Sequence, residues 1–405
     1  MPEPLQKLIA NRYGGRNLPI ALILPDGGRV ELSGAPEVDV IARNYSGLRA
    51  LASPAMGSLA RAYVHNDVDF TGSARRVLRL AESLVGNIDH RDRSSSGGRL
   101  KSLLHRTRGN KANIQHHYDV SNSFYRMWLD SRMVYSCAYF KSIGDSLDDA
   151  QAQKLDHICR KLRLSPGERF LDIGCGWGGL ILWAAENYGV EATGITLSQN
   201  QYDHAQAQIA SRGLADRVRV ELRDYLDLPD SVLYDKIASV GMFEHVGVSN
   251  FARYFGKIHR LLKPGGFVLN HGITHNWLGG RSLGSGIGDF IEEYVFPGGE
   301  LAHVSRVIQA IAADGLEVVD AEPLREHYAR TLWHWVERLE MHAQAARAEV
   351  GEERFRVWRI YLAGSAHAFD RGWLSLWQVL AGKPLPDGSL PHPLTRDYMY
   401  SQREP

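Results

Sequence analysis

The stretch Phe170-Leu-Asp-Ile-Gly-Cys-Gly-Trp-Gly-Gly179 constrains this chain more than any other. Its apolar start reads as a buried strand, its glycines as a tight turn, and the apolar run that follows as a helix. A strand that turns through glycines into a helix leaves unpaired backbone N–H groups at the helix N-terminus, and lets the backbone approach a ligand closely. The surroundings repeat the alternation. Ser146, with Asp148 and Asp149, caps a helix expected to reach about Leu162. Strands are expected at 170–173, 190–195, 218–222, 236–240 and 267–270, with helices between them at 198–210 and 250–262. That order predicts a parallel, doubly wound α/β sheet. Helices are expected again at 302–313, 324–349 and 353–369, and the run 374–380 is expected to add an antiparallel edge.

The strands beside the turn bear on its ligand. Gly174, Gly176 and Gly179 satisfy the dinucleotide pattern G-x-G-x-x-G, while Gly174, Gly176 and Gly178 equally satisfy the G-x-G-x-G loop of S-adenosylmethionine binders. Asp172, two residues ahead of the first glycine, can orient the turn and address a ligand's ammonium. A nicotinamide dinucleotide wants an acid at the end of the second strand. There the chain reads Gly194-Ile-Thr-Leu-Ser-Gln-Asn-Gln201, all neutral hydrogen-bonding groups, and Glu191 begins the strand rather than ending it. The third strand delivers Asp224-Tyr225, where a carboxylate can accept from an adenine amino group while a ring packs beside it. These features favour S-adenosylmethionine, with a dinucleotide as the alternative.

The 405 residues are enough for two or three domains at about 150 residues each. The formal charge is +1, from 47 basic and 46 acidic side chains, which argues against a protein built to coat nucleic acid. Cys137, Cys159 and Cys175 are too few for a disulfide framework, form no CxxC pair, and fit a reducing compartment. No run approaches the roughly 18 apolar residues of a membrane-spanning helix. Residues 18–24 contain Pro19 with no cleavage pattern behind them, so no signal peptide is expected and the chain should be soluble or at most membrane-touching.

Three zones are expected. Residues 1–90 form a small α+β domain, with strands at 20–24 and 29–32 joined by Asp26-Gly-Gly28 and helices around 48–64 and 74–85; lipid binding and dimerisation are both open as its role. Residues 91–111 are a basic, flexible linker around Ser94-Ser-Ser-Gly-Gly98, holding seven basic residues (Arg91, Arg93, Arg99, Lys101, Arg106, Arg108, Lys111) against Asp92 alone. Such a segment suits phosphates of a membrane surface or a nucleic acid, and equally a solvated linker. The lack of aromatics before Tyr118 lowers the single-strand nucleic-acid reading. Residues 112–405 form the catalytic domain.

Six runs occur in order: Asn113-Ile-Gln-His-His-Tyr-Asp-Val120, Tyr135-Ser-Cys-Ala-Tyr-Phe140, Leu171-Asp-Ile-Gly-Cys-Gly-Trp-Gly178, Gly194 to Gln201, Val240-Gly-Met-Phe-Glu-His-Val246 and Tyr294-Val-Phe-Pro-Gly-Gly-Glu300. The set closely resembles the cyclopropane-fatty-acyl-phospholipid synthases, relatives of the mycolic acid cyclopropane synthases, from about Asn113 to Gly382. The resemblance implies a Rossmann-like class I methyltransferase sheet with helical, lipid-covering insertions. It implies methylene transfer from S-adenosylmethionine to a cis double bond of a lipid acyl chain, with a methyltransferase making methyl-branched or methylene chains as the alternative. Its cofactor contacts carry over to Tyr135, Ser136, Gly174, Gly176, Thr196, Gln201, Asp224 and Tyr225, beside Asp172 and Gly178 of the loop itself. Its bicarbonate site, which would supply the base, carries over to Cys137, Glu244, His271, Ile273 and Tyr328. The partners it implies are unsaturated membrane phospholipids and an anionic membrane surface, met from the cytoplasm at the inner face. No nucleic acid is expected, and a homodimer is left open.

Blander roles compete at several positions. Cys175 and Cys159 read as packing residues, and Cys137 would read as a buried thiol outside its motif. His116 and His117 lack carboxylates at metal-ligand spacing, so no metal is expected. A structural salt bridge is the plain reading of Glu244. Trp333, Trp335, Trp358, Trp373 and Trp377 read as core. The family's late Tyr-Leu-x-x-Cys-Ala motif is Tyr361-Leu-Ala-Gly-Ser365-Ala366 in this chain, so a nucleophilic cysteine finds no support there.

Overall fold

The computed structural model describes residues 19–53, 56–85, 120–278 and 301–400. The described residues begin with β1 (Ile20–Ile23), β2 (Arg29–Glu31), β3 (Val38–Ala42), α1 (Tyr45–Ala52), α2 (Met56–Val64), β4 (Val68–Phe70) and α3 (Ala74–Val85). Next come α4 (Asn122–Arg126), α5 (Leu147–Lys161), β5 (Arg169–Ile173), α6 (Gly179–Tyr188), β6 (Glu191–Thr196), α7 (Gln199–Ser211), β7 (Val218–Leu222), β8 (Tyr234–Val240), α8 (Phe251–Leu261) and β9 (Leu262–His275). Last are α9 (Val304–Ala313), β10 (Glu317–Pro323), α10 (Arg325–Met341), α11 (Ala343–Val350), α12 (Glu352–Asp370), β11 (Leu374–Gly382) and α13 (Asp397–Tyr400). The basic segment 91–111, His116, His117 and the run Tyr294 to Glu300 lie outside the described residues.

The described residues fall into two compact units. One holds the residues up to 85 together with 332–367. Its sheet has the order β2-β1-β3-β4, with β1 antiparallel to β2 across the Asp26-Gly27-Gly28 turn and parallel to β3. Leu22, Leu24, Ala42 and Leu48 form its small core. Two buried arginines of α12 join the later helices to this sheet. Arg356 donates to the Tyr63 carbonyl at 2.9 Å and to Asp69 Oδ2 at 2.8 Å. Arg359 donates to the Tyr63 hydroxyl at 3.0 Å and the Gly72 carbonyl at 2.9 Å, and also pairs with Glu340.

The second unit holds residues 120–278, 301–331 and 368–400 of those described. Its seven-stranded sheet has the order β10-β11-β9-β8-β5-β6-β7. The pairs from β9 through β7 are parallel, as the alternation of helix and strand predicts. β11 is antiparallel, but it is interior: β10 lies outside it. Residues 317–323 (Glu-Val-Val-Asp-Ala-Glu-Pro) hid that edge strand, because acids interrupt its apolar positions. β9 also runs well past 270, since β8 and then β11 supply partners along its length.

Alternation along the strands splits the core. Phe170, Ala192, Val218, Val220 and Ala238 pack with α5, α6 and α7. Leu171, Ile173, Ile195 and Ile237 pack with α8 and α9. Burial on both faces explains the apolar character of β5 and of Phe267-Val-Leu269 in β9, whereas the edge strand β7 alternates buried Val218 and Val220 with Arg219 and Glu221. α5 starts where expected, with Ser146 Oγ accepting the Asp149 N–H at 3.1 Å, acids in its first turn and Arg160 and Lys161 in its last. Among the described residues no helix is long and apolar enough to cross a membrane.

Gly272 in β9 faces Phe243, and a Cβ there would run into the ring. Gly272→Ala should therefore lower stability by roughly 1–3 kcal/mol, the usual range for overpacking, read as a lower urea midpoint. An unchanged midpoint would mean that the Phe243 turn yields freely.

Candidate functional site

The glycine turn is built by backbone geometry. Gly174, Gly176 and Gly178 have φ of +83°, +55° and +90°, a region L side chains rarely adopt. The Ile195 carbonyl, on neighbouring β6, accepts both the Gly174 N–H (3.0 Å) and the Cys175 N–H (2.9 Å), which locks the turn to the second strand. Gly178 caps α6 and lies where a Cβ would press on Ala205 of α7, at 3.2 Å. It works in helix packing, whereas Gly174 and Gly176 line a cavity of about 310 Å³.

That cavity collects nearly every cofactor position expected from sequence: Tyr135, Ser136, Asp172, Gly174, Gly176, Thr196, Gln201, Asp224 and Tyr225 all line it, and Gly178 does not. Each has a local reason for its place. Thr196 ends β6, and its hydroxyl donates to Gln201 Oε1 at 2.7 Å, while Ser198 caps α7. Asp224 Oδ1 accepts the Leu226 N–H at 3.1 Å and starts a single 3₁₀ turn, Tyr225–Asp227. Tyr225 packs edge-on against Tyr254, with ring centroids 5.4 Å apart. Burial, followed by the nearby Asp224 carboxylate, pushes its phenol up to about 12.

Tyr135 and Ser136 lie on a segment clamped from both sides. Tyr135 packs on Tyr125 (5.7 Å) and Trp128 (5.4 Å), and α4 is tied to the glycine turn by Trp177, whose Nε1–H donates to Asn122 Oδ1 at 2.7 Å. From α5, Gln151 Nε2 donates to the Ser136 carbonyl and Lys154 Nζ to the Ser136 hydroxyl, both at 2.8 Å. From α10, Thr331 Oγ1 accepts the Ala138 N–H at 3.0 Å, and His327 Nδ1 accepts the Phe140 N–H at 3.0 Å. Cys137 lies between these anchors, its thiol pushed up by burial and therefore protonated.

The five positions carried over as an anion site are not among the residues lining that cavity. β8 ends at Val240, and Gly241 donates to the His271 carbonyl at 2.8 Å. Beyond it, Glu244 substitutes for the missing strand: its Oε1 accepts the Ile273 N–H at 2.7 Å. Its other oxygen is shielded from solvent and has no hydrogen-bond partner, although the residue as a whole is only partly buried. Burial, opposed by the Ile273 N–H, raises the carboxyl to about 7. His271, on the same strand, is kept neutral by burial and by the Lys154 and Lys161 charges. Gln378 Nε2 lies 3.1 Å from His271 Nδ1; with the amide donating, the ring proton sits on Nε2, which has no partner. Ile273 is paired with Leu376, whose carbonyl accepts the Leu324 N–H. Leu324 lies one helical turn before Tyr328, and its carbonyl is 3.9 Å from Cys137 Sγ. Tyr328 is buried against Phe369. So Glu244 and Ile273 meet directly, and Cys137 and Tyr328 join the strip through Leu324.

The comparisons with known proteins agree with this geometry. The sequence profile described as "Mycolic acid cyclopropane synthetase" matches residues 105–379. The chain belongs to that family. It is 44% identical over 400 residues to a "Probable fatty acid methyltransferase" of Pseudomonas putida, covering 99% of each chain. It is 40% identical over 273 residues to the cyclopropane-fatty-acyl-phospholipid synthase of Escherichia coli strain K12, covering 67% of this chain and 68% of that one. Among solved structures, the mycolic acid cyclopropane synthase CmaA1 complexed with SAH and CTAB superposes with a TM-score of 0.64 at 36% identity, over 67% of this chain and 98% of that one. The fold is that of class I methyltransferases, and at this level the family member is an S-adenosylmethionine-dependent methyltransferase.

Among the described residues no group of histidines, cysteines and acids is placed to hold a metal. Sequence reasoning passed over Lys154, Trp177, His245, Arg223 and Arg253, which also line the family member's cavity. For Lys154 a signal existed: it follows Gln151 by three residues and precedes Leu155 and Ile158 on the buried face of α5.

The raised Glu244 carboxyl carries a pH signature. It binds a proton in the folded state between about pH 4.5 and 7, where the unfolded carboxyl has lost it, so its stabilising effect is complete below that window and falls as pH rises through it. Glu244→Gln keeps the acceptor for Ile273 and removes the titration. The variant should match the wild type near pH 4.5 and be more stable by roughly 2–4 kcal/mol above pH 7, in urea melts across pH. A constant difference across pH would contradict a buried carboxyl.

Proposed function

We propose that this chain transfers a methylene group from S-adenosylmethionine to the cis double bond of an unsaturated phospholipid acyl chain, forming a cyclopropane ring. The observation that carries the reading is the carboxyl of Glu244: buried, raised to about 7, with one oxygen unpartnered, and bonded to the strand that also carries the neutral His271. An isolated alkene is a weak nucleophile, so the sulfonium methyl must be held against it in near-attack geometry and away from water. Methyl transfer leaves a carbocation on the chain, and a base must take a proton from the new methyl before the ring can close.

The buried polar atoms fit a small anion. His271 Nε2–H is free to donate and Glu244 in its protonated form tolerates a neighbouring negative charge, while Cys137, Ile273 and Tyr328 are the positions that the family resemblance adds. A bicarbonate bound there would supply the base. Glu244 orients it from one side while holding β9 in register through the Ile273 N–H, and His271 stays a neutral donor. Membrane phospholipids as substrate, reached from the inner face by a peripheral protein, fit the basic segment 91–111 read from the sequence. A second reading, a methyltransferase that leaves a methyl-branched or methylene chain, is favoured by the name of the 44%-identical relative, which matches over 99% of both chains.

Purified protein, labelled S-adenosylmethionine and unsaturated phospholipid vesicles should yield acyl chains one CH₂ heavier that resist hydrogenation. Chains of that mass that take up hydrogen, or saturated branched ones, would favour the second reading. In the same assay Glu244→Gln should lose on the order of 10²-fold or more in turnover while binding S-adenosylmethionine within about twofold. Replacing Arg91, Arg93, Arg99 and Lys101 with glutamine should weaken binding to anionic vesicles, most at low salt, and unchanged affinity would leave the segment a plain linker.

A further inference from the structure

α5 carries a lysine where its neighbours in the core are Leu155, Ile158 and Cys159. Lys154 is only 1% exposed, so its ammonium is cut off from bulk water. Lys154 is among the residues lining the cavity, and its Nζ donates to Ser136 Oγ at 2.8 Å. Two acids face it. Asp130 is committed to backbone, its Oδ1 accepting the Val134 N–H at 2.8 Å and its Oδ2 the Arg132 N–H at 3.1 Å. Asp172, on β5 and 2% exposed, lines the same cavity, and its Oδ1 is shielded and without a hydrogen-bond partner. Burial pushes the lysine down and the aspartate up, and each charge opposes that drift in the other. An apolar side chain would fill this part of the core at lower cost, and removing either charge would strand its counterpart.

One wall of a single cavity therefore offers a buried cation relayed to a hydroxyl, and next to it a buried anion with a vacant oxygen. The ligand end that answers both is a zwitterion. Ser136 is already a cofactor contact that the family resemblance implies, and Asp172 the acid expected to address the ammonium; we infer that Lys154 is a positioning residue that fixes the Ser136 hydroxyl against the α-carboxylate of S-adenosylmethionine. This rests on the S-adenosylmethionine reading of the cavity. The consequence for the reaction is placement: the amino-acid end is fixed to α5 and β5, so the sulfonium methyl is aimed from a rigid base and not from a loop. Ser136 presents its hydroxyl to the ligand only while Lys154 holds it.

The test is isothermal titration of the full chain with two probes, S-adenosylhomocysteine and 5′-methylthioadenosine, which shares the nucleoside and thioether but lacks the amino-acid end. Lys154→Met should weaken S-adenosylhomocysteine by about 10- to 100-fold, the range for a charge-assisted contact, and 5′-methylthioadenosine by less than about twofold. Lys154→Arg should recover part of the loss for the first probe alone. Ser136→Ala removes the relay without touching the buried charge, and should show the same selectivity even if Lys154→Met fails to fold. Equal losses for both probes would make Lys154 a purely structural residue and overturn the inference, as would an unchanged affinity for S-adenosylhomocysteine. If the wild type binds 5′-methylthioadenosine and S-adenosylhomocysteine equally, the zwitterion subsite is wrong although the nucleoside site stands. If it binds neither, the S-adenosylmethionine reading itself falls.

Discussion

A single carbonyl holds the working end of this molecule together. Ile195 O receives two consecutive N–H groups, from Gly174 and Cys175, and thereby fastens the turn after β5 to the end of β6. Because the turn cannot drift from β6, Thr196 and the cap of α7 stand beside it, and the cavity gains a second wall without further contacts. The approach is close enough that β6 needs its own glycine: a Cβ on Gly194 would lie 2.8 Å from the Cys175 side chain and from Ile181. Glycine thus serves two ends here, left-handed backbone in the turn and bare backbone in the strand facing it.

The buried polar groups of the sheet unit divide by position. Toward β10, charge is fully answered: Lys161 meets Glu322 at 2.6 Å and Asp320 at 3.1 Å, His157 meets Glu322 at 2.8 Å, and Arg396 meets Asp320 at 2.7 Å. At the other extreme, Asp172 Oδ1, Glu244 Oε2 and His271 Nε2 are shielded and unanswered, each at or just past the end of a parallel strand or, for His271, level with Val240, the last residue of its parallel neighbour. An unanswered buried polar atom costs roughly 1–3 kcal/mol, so three of them in one region are hard to explain as packing accidents. In open α/β sheets this is the region where ligands lie. Asp172 lines the cavity together with Lys154, whereas Glu244 and His271 are not among its lining residues.

Much of this was legible in the sequence for a physical reason. Strands buried on both faces must be apolar throughout, and a turn that requires left-handed backbone must be glycine, so 170–179 announces itself. Edge elements do not have to obey either rule. β10 is exposed along one side and carries Glu317, Asp320 and Glu322, which masked it, and its absence made β11 look like the edge. Lys154 was hidden by the opposite habit: a lysine on a helix is read as solvated, and only its register with Leu155 and Ile158 betrays the buried face. Glu244 was placed by its motif, yet no sequence pattern says that its carboxylate completes β9 where β8 stops.

The same habit explains what happens at 332–367. Arg356 and Arg359 look like ordinary helical charges, and so the helical tail reads as one continuous part of the catalytic region. In the structure both guanidiniums are buried and point at main-chain carbonyls and acids supplied by the N-terminal residues: Tyr63, Asp69 and Gly72. Their planar faces are covered as well, by the ring of Tyr63 for Arg356 and of Phe70 for Arg359. A guanidinium has five donors and no means of neutralising itself, so once buried it needs a fixed set of acceptors. Those acceptors lie outside residues 105–379, the stretch matched to the family. The helices that supply the arginines, by contrast, lie inside the matched stretch. Within the matched stretch Glu340 and Glu352 take part of each guanidinium, and the N-terminal residues supply the remaining acceptors, so the late helices of this chain carry two charges whose partners are shared between the family's stretch and the residues before it.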